Sequence, residues 1–100
     1  MEIEKTVSER DGRYGGFANV AEVAQDLQDV MRGAPGWAGL SKVQKQALTD
    51  TAGKVARILC GDPNYIDNWH DIQGYSRLVE EDIRNPRQVV TLGPVWDRGK

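Results

Sequence analysis

Two glycine/proline breaks cut this chain into three stretches of helix length, and that punctuation constrains the fold more than any other feature. Gly33-Ala34-Pro35-Gly36 and Gly61-Asp62-Pro63 interrupt an apolar pattern that otherwise returns every three or four residues. Glycine ends a helix cheaply, and proline cannot continue one because it lacks the N–H. In the first stretch Phe17, Val20, Ala24, Leu27 and Met31 make one stripe, widened by Val23 and Val30, which predicts a helix over 18–32. The second stretch opens on Ser41-Lys42-Val43-Gln44, a capping box in which serine caps and glutamine reaches back. Val43, Ala47, Leu48, Thr51, Val55, Ile58 and Leu59 then supply a buried face, so a helix is expected over 41–60. Gly53 inside it costs about 1 kcal/mol against alanine, which signals either a close helix contact or a tolerated defect. In the third stretch Tyr65, Trp69, Ile72, Tyr75, Val79 and Ile83 predict a helix over 65–83, with Asp67 able to cap a slightly later start and Asn85-Pro86 ending it. The expected fold class is all-α: a compact bundle of three main helices.

A chain of 100 residues holds one hydrophobic core, so one domain is expected, with an arm at 1–16, a helical core at 17–83 and a basic tail at 84–100. With 39% hydrophobic and 28% charged residues the composition is that of a soluble globule, and no apolar run nears the ~18 residues of a membrane span. Met1-Glu2-Ile3-Glu4-Lys5 lacks the basic and apolar regions of a secretory signal, and the reading is cytoplasmic. The net charge of −2 disfavours a protein that coats duplex nucleic acid. Cys60 is the one cysteine, which excludes an internal disulfide framework and a cysteine-rich zinc site; at a helix end it reads as a packing residue. Short helices leave a thin core, so burial gained as a homo-oligomer is one route to stability.

Both ends carry ambiguous signals. Tyr14 stands among Gly12, Gly15 and Gly16, either in a mobile arm or presented to a ligand or a neighbouring chain. Trp37 is the one large residue between the first two helices, where an aromatic either plugs a gap or offers a stacking or anchoring surface. In the tail, Arg87-Gln88-Val89-Val90-Thr91-Leu92 has strand propensity, Gly93-Pro94 breaks it, and Val95-Trp96 follows. Arg84, Arg87, Arg98 and Lys100 face only Asp97 there. A cationic, aromatic tail on an anionic body can fold back, grip a partner or stay disordered; Arg87, Trp96 and Trp37 are the partner-binding candidates.

The chemistry-bearing residues gather in the second and third helices. Asp50, Lys54 and Arg57 share one face, as do Asp67, His70, Asp71 and Gly74. The link Gly61–Ile66 is short, so the two helices should run antiparallel and bring Lys54 and Arg57 near Asp67 and Asp71. One reading is an interhelical ion-pair network that holds the hairpin in register. The other is a nucleotide site. Asp67, His70 and Asp71 would hold magnesium or manganese, Lys54 and Arg57 would meet phosphate oxygens, and Tyr14, Trp69 or Tyr75 would stack on a base. The chain has no phosphate loop and no dinucleotide fingerprint. Asp50 is the only acid on the second helix; Glu22 and Asp26 on the first are the remaining carboxylate pair for a metal. His70 is the sole histidine, and neither Ser76 nor Cys60 stands in a nucleophile context, so a catalytic triad is not expected.

Arg13-Tyr14-Gly15-Gly16-Phe17, Lys54-Val55-Ala56-Arg57-Ile58 and Asp67-Asn68-Trp69-His70-Asp71-Ile72-Gln73-Gly74-Tyr75, in that order, resemble a family of small uncharacterised proteins encoded by tailed bacteriophages and prophages. The resemblance spans about residues 9–83 and implies a helical fold at work in the cytoplasm of a host cell. More distantly the chain is similar to the MazG-type all-α nucleotide pyrophosphohydrolases, which hold magnesium with carboxylates on paired helices. That likeness implies that Asp67 and Asp71 stand for one carboxylate set. Lys54 and Arg57 occupy the helix where the family carries Glu-x-x-Glu, a departure that favours binding over turnover. Three functions follow as expectations: sequestration of a phosphorylated nucleotide or nucleotide signal; a protein–protein interaction module that inhibits a host or defence protein; and magnesium-dependent pyrophosphohydrolysis.

Overall fold

A computed structural model describes residues 16–86. It is an all-α, three-helix arrangement: α1 (Phe17–Gly33), a 3₁₀ turn (Trp37–Gly39), α2 (Lys42–Cys60) and α3 (Ile66–Arg84). The arm and tail expectations, including Tyr14, Arg87, Trp96 and the strand-prone 87–92, lie outside the described residues.

Local chemistry sets the helix ends. Gly16 precedes α1 with φ of 84°, a left-handed conformation that glycine adopts without a Cβ penalty. At α2 the capping box forms as the sequence predicts. The Gln44 N–H donates to Ser41 Oγ at 3.1 Å, and the Ser41 N–H donates to Gln44 Oε1 at 2.9 Å. Gly33 does not stop α1 but is its last residue; Ala34, extended, is the cap. Asp67 is not the cap of α3 either. Tyr65 takes the cap position without a side-chain capping bond, because the helix starts at Ile66 and so places Asp67 within its first turn. A carboxylate there still faces the positive end of the helix dipole.

Packing runs through α2. It contacts α1 on one side and α3 on the other, while α1 and α3 make at most marginal contact with each other. The apolar residues buried among the described ones are small: Ala24, Ala52 and Ala56. Small side chains let helix axes approach closely. The larger stripe residues expected inside are only partly covered. Leu48 is 41% exposed, Ile83 61% and Leu59 66%, and Val43 is exposed too. The reason is the arrangement itself. With two neighbours on nearly opposite sides, α2 leaves its remaining flanks open, and the outer helices each have one neighbour instead of two.

Gly53 resolves as a tolerated defect: a Cβ built on it meets nothing within 4 Å. Trp37, half-buried in the 3₁₀ turn that packs on α1, carries the Lys45 ammonium 6.0 Å from its ring centroid. That is the outer range of a cation–π contact. Among the described residues no helix is long and apolar enough to cross a membrane.

Candidate functional site

The α2–α3 turn is tied locally. Asp62 Oδ1 accepts from the Asn64 N–H at 2.9 Å, the Tyr65 N–H donates to the Asp62 carbonyl at 3.2 Å, and Trp69 Nε1 donates to the Pro63 carbonyl at 2.7 Å. These bonds fix where α3 starts and therefore which of its residues face α2. The Trp69 indole is committed to the turn through its N–H, with 49% of the residue still exposed.

Lys54 and Asp71 meet across the hairpin, Nζ to Oδ2 at 2.8 Å, with Lys54 largely covered and Asp71 more open. The hydrogen bond from Lys54 holds the Asp71 carboxyl below its ordinary range. Desolvation opposes the shift, while the charges of Lys54, His70 and Arg57 add to it. Lys54, Arg57, His70 and Asp71 thus form one electrostatic neighbourhood, as the antiparallel hairpin predicts. Asp67 turns elsewhere, accepting from the Tyr65 hydroxyl at 2.9 Å. Asp50 accepts from Gln46 Nε2 at 2.9 Å within its own helix. Tyr75, half-buried, lines a groove with Val43, Asp50, Leu78 and Val79.

Among the described residues no three histidine, cysteine or carboxylate side chains come together as a metal site. Asp71 pairs with Lys54 and Asp67 accepts from Tyr65, so these two carboxylates turn to different partners. Glu22 and Asp26 stand exposed on α1, whose packing is against α2, and they do not join the α3 carboxylates.

One residue that the sequence reading passed over belongs here. Asn68 is only 1% exposed, and its Nδ2 has no hydrogen-bond partner. A buried donor left unpaired costs about 1–3 kcal/mol. Its signal was in the pattern: Asn68, Ile72, Tyr75 and Val79 continue one stripe at spacings of four, three and four.

A second surface lies beside the polar one. A groove of about 370 Å³ between α2 and α3 is lined by Leu40, Gln44, Ala47, Leu48, Thr51, Ser76 and Val79, none of them charged. It sits on two continuous uncharged rows: Gln44, Leu48, Thr51, Val55 and Ile58 on α2, and Tyr65, Trp69, Ile72, Ser76, Val79 and Ile83 on α3. Both alternate four and three, the spacing by which helices pack along a seam.

No protein-family model matches the chain, and comparison with curated proteins and with solved structures gives no significant match.

Proposed function

We propose that this chain is a protein-binding module whose working surface is the uncharged face of α2 and α3. The observation that carries the reading is the inversion of burial. Alanines fill the interior, while Leu48, Leu59, Trp69 and Ile83 stand substantially in solvent. Scattered surface apolar residues are ordinary, but continuous uncharged rows along two adjacent helices mark a contact surface.

The polar hairpin supports this reading over nucleotide sequestration. The Lys54 ammonium is engaged by Asp71 and the Asp67 carboxylate by Tyr65, so these groups satisfy each other. A phosphate would have to displace Asp71 from Lys54 before it bound. Pyrophosphohydrolysis would also need a carboxylate cluster, which the described residues do not form. The resemblance to phage-encoded proteins is what suggests a host or defence protein as an eventual target.

The test is a melting-temperature screen of the native chain with nucleotides, with and without magnesium, run beside a probe of apolar surface such as an anilinonaphthalene dye. Dye binding at high dilution, where no partner covers the face, that Leu48→Glu abolishes, with no nucleotide shift, is the expected result. A nucleotide-dependent rise in melting temperature that Lys54→Met removes would overturn the reading.

A further inference from the structure

Resting on that reading, we propose that the occupant of the uncharged face is a second copy of this chain, and that α2 and α3 of two copies close into a four-helix core. The first argument is the extent of the open face. The α3 row from Tyr65 to Ile83 is about 27 Å long at 1.5 Å per residue, and two helices span about 20 Å. That is a footprint of roughly 540 Å² on each copy from α2 and α3. An up-down-up order carries Val23 and Val30 of α1 to the same side, and Val30 is itself exposed. A third helix width brings the footprint to about 800 Å² per copy, the size of a standard stable interface.

The second argument is what the face does for the fold. The described helices bury three alanines as their apolar core, so among the described residues the uncharged rows are a large reserve of burial. A surface needed for the fold must be covered continuously, and a second copy is always present in matched amount.

The third argument is charge. Lys54 and Asp71 pair within one copy; beyond them α2 carries Lys42, Lys45 and Arg57 against Asp50, and α3 carries Asp67, Glu80, Glu81 and Asp82 against Arg77 and Arg84, which pair along the helix with Glu81 and Glu80. A two-fold axis that lays α2 of one copy over α3 of the other sets a cationic helix against an anionic one twice, with the uncharged rows between them. An isologous contact requires this kind of self-complementarity.

The experiment is the solution mass of the full chain by light scattering, at two concentrations, for the native protein, Leu48→Glu and Gly53→Ala. Gly53 is two positions from both Thr51 and Val55 and so lies on the far side of α2. The expected result is twice the 11.1 kDa chain mass for the native protein and Gly53→Ala, and a single chain mass for Leu48→Glu. Should Leu48→Glu fail to fold, the native chain still decides: a two-fold dimer melts at a temperature that rises with its concentration. A native monomer with a concentration-independent melt, still binding the dye through Leu48, overturns the second copy but leaves the contact face standing. A monomer that binds no dye overturns both, because the chain then covers its own face. A dimer that Leu48→Glu leaves intact also overturns the proposal, because it places the contact elsewhere.

Discussion

Two mid-helix glycines offer a quantitative check on how open this structure is. Gly53 in α2 and Gly74 in α3 are both helical, neither has a positive φ, and a Cβ on either meets nothing within 4 Å. Replacing each by alanine adds no clash and removes backbone freedom from the unfolded chain. Each substitution should therefore stabilise by about 0.8–1.0 kcal/mol, the helix-propensity gap between the two residues. The sites lie on different helices and share no described contact, so the double variant should gain about 2 kcal/mol. For a domain of this size 1 kcal/mol moves the melting temperature by about 4–8 °C, which sets about 8–16 °C for the pair. Circular dichroism melts at a fixed protein concentration measure it. A fall in melting temperature for either single variant would refute the reasoning, because it would place a packed neighbour against a helix side that the structure leaves open.

Other outcomes follow from single side chains. Ser41→Ala removes an N-cap and should lower stability by about 1 kcal/mol in urea titrations, with Gln44→Ala losing a smaller part of the same box. Asn68→Ala removes a buried donor that has no partner, so its unfolding midpoint should not fall; a loss above about 2 kcal/mol would show that the amide is bonded in the assembled protein. Because the folded Asp71 carboxyl lies below its ordinary range, its contribution to stability is present above about pH 4 and disappears as pH falls through the lower folded value. Asp71→Asn should flatten that acid limb in urea midpoints taken from pH 6 to pH 2, and an unchanged limb would mean that Lys54 does not hold the carboxylate.

The fold was legible because its breaks are chemical. Gly33 to Gly36 and Gly61 to Pro63 end helices by backbone restriction alone, and Ser41 with Gln44 announces a start. The helix bounds moved by a residue at most ends; at the start of α3 the turn bonds of Asp62, Tyr65 and Trp69 place the first residue at Ile66, which is why Asp67 lost its capping role. The Lys54–Asp71 meeting was legible too, from helical spacing and a short link. What spacing could not convey is how many sides of each helix are covered. An apolar stripe reads the same whether a neighbour from this chain or from another lies over it. Leu48 and Ile83 therefore looked like core, while Asn68, polar and buried, was overlooked.

The uncharged rows of α2 and α3 are proposed to meet their counterparts on a second copy. Isotope-filtered nuclear Overhauser spectroscopy on an equal mixture of labelled and unlabelled chain tests this contact by contact. Cross-chain signals from the Leu48, Val79 and Ile83 methyl groups are expected. Filtered spectra empty at those methyl groups, from a sample at millimolar concentration, would contradict it.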